Sequence, residues 1–153
     1  NIGALIDEVV EQWAPLAEEK GVRMTASYET PVAPVTSLVA LREILGNYVD
    51  NAIEHSPSGS TITISSVQAG DGMEIVIADQ GEGMSEEDRR NAFDRFWRGS
   101  ETNRPGSGLG LAIVAQLAEA AGVQVELRMA KPGGLEAVLR IPVSTTHASP
   151  NPR

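Results

Sequence analysis

The stretch TITISSVQAGDGMEIVIADQGEG, residues 61–83, decides the architecture. Apolar residues alternate with polar ones near 61–66, and a second strand pattern runs near 73–79. Between them Ala69-Gly70-Asp71-Gly72 is a turn sequence, so the two strands are expected side by side and antiparallel. The second strand, rich in Ile75, Val76, Ile77 and Ala78, runs directly into Asp79-Gln80-Gly81-Glu82-Gly83. Working outward, a helix near 38–55 precedes this pair, with Leu41, Ile44, Leu45, Tyr48, Val49, Ala52 and Ile53 as its apolar stripe. An earlier helix starts at Ile2. Its pattern contains Pro15, expected to kink or interrupt it, and stops at Gly21. Alternation of Val22, Met24, Ala26 and Tyr28 predicts a strand over 22–28 with those four on one face. A helix beginning with Leu109 and Leu111 is followed by strands near 123–129 and 135–142. Because the strands come as hairpin-like neighbours and not in strict βαβ units, the expected class is α+β. The expectation is a two-layer sandwich: a mixed, largely antiparallel sheet with helices packed on one face.

Composition limits the function. The 153 residues suffice for one domain with a sizeable core, expected over 1–143, and the polar tail 144–153 is expected to be disordered. Twelve Lys and Arg against 21 Asp and Glu give a net charge of -9, which disfavours nucleic acid as a partner held by bulk charge. Cys is absent, which excludes disulfides, a thiol nucleophile and a Cys-ligated metal. No apolar run approaches the ~20 residues of a membrane helix. The first residue is Asn1, not Met, and a fragment excised from a larger protein is expected. The charge is unevenly spread: Arg89, Arg90, Arg95, Arg98 and Arg104 face only Asp94 and Glu101 between positions 89 and 104. Ser85, three residues before Asp88, predicts a capped helix over about 86–97.

Three segments carry groups suited to a phosphorylated ligand. Asn47 and Asn51 lie four residues apart, on one side of the second helix and off its apolar stripe. Amide oxygens suit Mg²⁺ and amide N–H groups can donate to phosphate. Asp79 at a strand end can accept from an exocyclic amine, and Gly81 and Gly83 let backbone approach a flat ring. Gly106-Ser107-Gly108-Leu109-Gly110-Leu111 opens a helix whose first N–H groups and dipole suit phosphate. It is not a Walker A loop, since the two lysines, Lys20 and Lys131, lie elsewhere, and it lacks the preceding strand of a dinucleotide fingerprint.

Taken together these segments resemble the sensor histidine kinases. Asn47-Tyr48-Val49-Asp50-Asn51-Ala52 resembles their N box, residues 79–83 the first glycine box, Phe93-Asp94-Arg95-Phe96-Trp97-Arg98 the aromatic box of their ATP lid, and residues 106–111 the second glycine box. The likeness extends over about 1–142 and implies an isolated catalytic, ATP-binding domain with the Bergerat fold. It implies that Asn51 coordinates Mg²⁺ with support from Asn47, and that Asp79 bonds the adenine amine. Gly81 and Gly83 would serve close approach and the lid hinge; Gly106, Gly108, Leu109, Gly110 and Leu111 would line the phosphates. His55 stands where an aromatic residue often meets the base, and equally reads as a helix-end histidine favoured by the dipole. Arg95 and Arg98 would contact phosphate or dock on the partner domain, while Phe93, Phe96 and Trp97 anchor the lid by packing. The lid itself is expected over about 84–107, mobile until ligand binds.

The same resemblance implies a dimerisation and phosphoacceptor domain as partner, and a response regulator indirectly. It implies a cytoplasmic domain whose parent sits in a bacterial membrane. The chain departs from the family at Glu54, where a Lys or Arg often holds phosphate, and at Leu135, where a Thr is frequent. Neither His55 nor His147 lies in a phosphoacceptor-type helix, so the acceptor histidine is expected upstream. Related hydrolases place a general-base Glu four residues before the metal-binding Asn, where this chain has Asn47. A neutral amide cannot deprotonate water, which favours phosphoryl transfer over hydrolysis. An anti-sigma-factor-type serine kinase and a degenerate nucleotide-binding interaction module are the competing readings.

Overall fold

The computed structural model describes residues 1–28, 37–94, 110–130 and 133–142. In chain order these form α1 (Ile2–Glu19), β1 (Arg23–Tyr28), α2 (Leu38–His55), β2 (Thr61–Ala69), β3 (Gly72–Ala78), α3 (Glu86–Asn91), α4 (Gly110–Ala121), β4 (Gln124–Met129) and β5 (Leu135–Pro142). The five strands make one sheet in the order β1-β2-β3-β5-β4. β1 pairs parallel with β2, and every other pair is antiparallel. The hairpin of residues 61–83 is thus the middle of the sheet, with Ile64 opposite Ile77 and Ala69 opposite Gly72.

Alternation in β2 and β3 buries Ile62, Ile64, Met73, Ile75 and Ile77 on one face. Ala137, Leu139 and Ile141 of β5 continue that face, and the register sets Ile75 against Leu139. Ile6 of α1 and Leu41, Ile44, Leu45, Tyr48 and Val49 of α2 close over it in one hydrophobic cluster. The Tyr48 hydroxyl donates to the Val138 carbonyl at 2.8 Å, pinning α2 to β5. On the other face Arg140 meets Glu74 (3.0 Å) and Glu126 (2.5 Å), and Arg128 meets Glu136 (3.1 Å). Val138 lies on that charged face between Glu136 and Arg140, yet is fully buried, as expected where long arginine stems lie over an apolar residue. The sheet is therefore a two-layer structure with helices on one side and an ion-paired surface on the other.

Three details differ from the sequence expectations. α1 continues unbroken through Pro15 to Glu19. The proline is exposed and deletes one backbone bond, while buried Ile2, Leu5, Ile6 and Val9 before it and Ala17 after it hold the helix down. The strand at 23–28 hides only Met24 in part, and Ala26 and Tyr28 are exposed, because β1 is an edge strand beyond the main core. α3 is also shorter than the 86–97 expected: it ends at Asn91, and residues 95–97 lie outside the described ones. Its cap is as read, the Ser85 side chain accepting from Asp88 N–H at 3.0 Å.

α1 and α4 end alike. Gly21 (φ 79°) and Gly122 (φ 75°) take the left-handed conformation. Val22 and Val123 each donate back to the carbonyl of the residue five before, Ala17 and Ala118. These are Schellman ends, each followed by a strand and each burying its valine.

Two buried polar atoms, Trp13 Nε1 and Ser66 Oγ, find no hydrogen-bond partner among the described residues. Ser66 lies between Tyr28 and Ile75 in the sheet register. Ser66→Ala removes an unsatisfied hydroxyl at little cost in packing, and is expected to raise stability by about 1 kcal/mol in urea unfolding. A loss of stability would show that Ser66 is satisfied.

Candidate functional site

α2 supplies the first wall. Ser37 caps its start by accepting from Ala40 N–H at 3.2 Å. The polar side of the helix carries Asn47 and Asn51, both half-buried. Asn47 Nδ2 donates to the Glu43 carbonyl at 2.9 Å, which fixes the amide and turns Oδ1 outward. That oxygen lies against Gly110, where an added Cβ would come to 3.4 Å from it. Gly110 is the first residue of α4. The orphan N–H groups and positive dipole end of α4 are therefore beside the Asn47 oxygen. Leu111, expected at the ligand, turns its side chain into the core, so only its backbone belongs to this helix start. Gly106, Gly108 and Leu109 lie outside the described residues, as do Arg95, Phe96, Trp97 and Arg98.

Asp79 is the centre of the second wall. It follows the last residue of β3 and is only 4% exposed. Its Oδ1 accepts two backbone bonds, from Gly81 N–H at 2.9 Å and Leu135 N–H at 3.1 Å. Its own N–H donates to the Leu135 carbonyl at 3.0 Å, so the carboxylate also staples the start of β5 to the end of β3. Both side-chain bonds land on Oδ1, and among the described residues Oδ2 is given no hydrogen bond. Burial raises the Asp79 pKa above the ordinary carboxylate range, and the two backbone N–H bonds oppose that rise without cancelling it.

Glycines close around this carboxylate. A Cβ on Gly81 would overlap the His55 carbonyl oxygen, so its glycine is required by packing against the end of α2. Gly83 (φ 78°) sits in the left-handed region, with the Gly134 carbonyl 2.9 Å from where a Cβ would be. Gly134 (φ 103°) is itself pressed against the Asp79 carbonyl. The cradle thus unites the end of α2, the loop after β3 and the turn before β5. His55, half-buried at the last turn of α2, contributes its carbonyl to that seam.

Beyond Gly83 the chain stays attached to the core. Met84 and Ala92 are buried, and Phe93 packs against the hydrophobic cluster. Arg89 Nη1 donates to the Met84 carbonyl and locks the first turn of α3 to its approach.

Three contributors escaped the sequence reading. Gly134 resembled an ordinary turn glycine, and Leu135 drew notice only for its missing hydroxyl, whereas its backbone N–H is what reaches Asp79. Lys20 carried no motif, yet its Nζ donates to the Ile53 and Glu54 carbonyls at 2.6 and 2.7 Å.

Residues 36–145 match the family model described as histidine kinase-, DNA gyrase B- and HSP90-like ATPase. The sensor-type histidine kinase PrrB of Mycobacterium tuberculosis is 36% identical over 143 residues, covering 93% of this chain and 31% of the relative. The swarming motility regulation sensor protein RssA of Serratia marcescens is 40% identical over 129 residues, covering 83% and 27%. This chain therefore spans about a third of the length of these relatives. Among solved structures, the mycobacterial sensor histidine kinase MprB superposes with a TM-score of 0.81 at 29% identity, over 93% of this chain and 94% of that one. Full-length ShkA in complex with AMPPNP gives 0.81 at 28% identity, over 95% of this chain and 30% of that one. The chain belongs to the histidine kinase-, DNA gyrase B- and HSP90-like ATPase family.

Proposed function

We propose that Asp79 Oδ2 receives the adenine amine of ATP and that this domain passes the γ-phosphoryl group to a histidine on an upstream dimerisation domain. The observation that carries the reading is the half-committed Asp79 carboxylate: one oxygen is held by two backbone donors and the other is left for a ligand. The triphosphate then extends along α2 toward Asn47, Asn51 and the start of α4. The donor set fits Mg²⁺: Asn47 presents a neutral oxygen fixed by its bond to Glu43, and Asn51 lies one turn further along the same helix. When bound, the cation would neutralise charge developing on the phosphates. Gly106, Gly108, Leu109, Gly110 and Leu111 would supply backbone donors, and Arg95 and Arg98 charge, from a lid over about 84–107. The domain boundary at about residue 143, the parent's place in a bacterial membrane and transfer onward to a response regulator belong to the same proposal. Among the described residues no helix is long and apolar enough to cross a membrane.

Asn47 favours the kinase over a hydrolase. Its amide cannot accept a proton from water, so the site can orient a phosphoryl group without activating solvent. Asn47→Glu is expected to raise ATP hydrolysis by roughly tenfold or more in a phosphate-release assay. An unchanged rate would remove this argument. Asn51→Ala should abolish the difference in ATP affinity between Mg²⁺ and EDTA in calorimetry, and persistence of that difference would place the cation elsewhere.

Asp79 predicts an unusual pair of outcomes. An adenine amine needs the ionised carboxylate, so ATP affinity should fall on acidification, beginning above the ordinary Asp range. For stability the sign is opposite to that of a salt-bridged Asp. The folded pKa lies above the unfolded one, so the contribution of Asp79 is present at low pH and is lost as pH rises from the unfolded value through the raised one. Asp79→Asn keeps an oxygen for Gly81 and Leu135 but turns an N–H₂ toward the adenine amine. ATP affinity should drop about 100-fold, while the melting temperature at neutral pH holds or rises. Retained affinity would refute the adenine assignment.

A further inference from the structure

We propose that Lys20 is a positioning residue for adenine recognition, acting through the last turn of α2; this rests on the reading of Asp79 as the adenine acceptor. Lys20 lies just past α1, remote in sequence from every box. Its ammonium nonetheless bonds the Ile53 and Glu54 carbonyls, two of the four at a helix end that lack an i+4 donor, the Ile53 carbonyl also accepting from Ser56 N–H at 3.3 Å. A cation there also opposes the negative end of the α2 dipole. The seam is reinforced beside it: Gly59 N–H donates to the Gly21 carbonyl at 2.7 Å, and Arg23 N–H to Ser60 at 3.0 Å. The turn after α1 therefore clamps the turn after α2.

What this clamp sets is the position of His55. The next carbonyl after Glu54 is that of His55, and it abuts Gly81 so closely that no side chain fits. Gly81 N–H is in turn one of the two donors that aim Asp79. A continuous path of contacts runs from the Lys20 ammonium through residues 53–55 to Gly81 and the carboxylate. If α2's last turn frays, the Gly81 donor shifts and Oδ2 loses its fixed aim. The triphosphate end, carried by Asn47, Asn51 and the start of α4, lies one to two turns earlier on α2 and is held independently. Lys20 is thereby assigned to base selectivity and not to phosphate binding.

The test compares ATP and GTP affinities of this chain by calorimetry in Mg²⁺. GTP offers a carbonyl where ATP offers the amine, and adds an N–H and a second amine on the neighbouring edge, so the ratio of the two affinities reads how the site around Asp79 fits the base and not how it holds the phosphates. Lys20→Met is expected to reduce that ratio roughly tenfold, the effect of losing charge-assisted bonds at the helix end, with GTP affinity nearly unchanged. Lys20→Arg should restore most of it, and Lys20→Gln carries the same readout if the Met variant does not fold. Equal weakening of ATP and GTP, or an unchanged ratio, overturns the inference. A wild-type chain that does not prefer ATP overturns instead the assignment of Asp79 on which it rests.

Discussion

One carboxylate ties the architecture to the chemistry. Asp79 is buried at the end of a central strand, and an ionised carboxylate in that place is costly unless it is hydrogen-bonded. Two backbone donors, Gly81 and Leu135, offset part of that cost, and both reach the carboxylate where three glycines let the backbone close in. The bond from Leu135, with that from Asp79 N–H to the Leu135 carbonyl, also joins β3 to β5 at their ends. Binding potential and sheet integrity are therefore set by one group, and the raised pKa is the residue of a desolvation that the ligand's own amine would help to offset.

The rest of the fold supplies rigidity around that group. Tyr48 fixes α2 to β5, the Arg–Glu lattice stiffens the outer face of β3, β4 and β5, and Lys20 holds the far end of α2. Consequently the two walls of the site, the polar side of α2 and the loop after β3, are each attached to the same core. The segment after Gly83 shares that attachment through Met84, Ala92 and Phe93.

Much of this could be read from local pattern. Period-two burial in residues 61–78 and the stripe from Leu41 to Ile53 are properties of neighbouring residues, and both elements formed where expected. Asn47 and Asp79 were visible because a polar group at a defined place on an apolar element is conspicuous. What stayed hidden depends on distant backbone. Nothing near Leu135 reveals that its N–H meets residue 79, and Gly134 resembles any turn glycine until the Asp79 carbonyl is found against it. Pro15 misled in the other direction, since helix propensity yielded to burial on both sides of it. The parallel pairing of β1 could not be foreseen either, because the strand's own exposed residues carry no mark of its neighbour.

The central claim is that Oδ2 of Asp79 is kept for an adenine amine. A crystal structure of this chain with AMPPNP and Mg²⁺ tests it most directly. The account predicts the amine within hydrogen-bonding distance of Oδ2, with the bonds from Gly81 and Leu135 to Oδ1 unchanged. A base lodged elsewhere, or a carboxylate rotated away from those two donors, would contradict it.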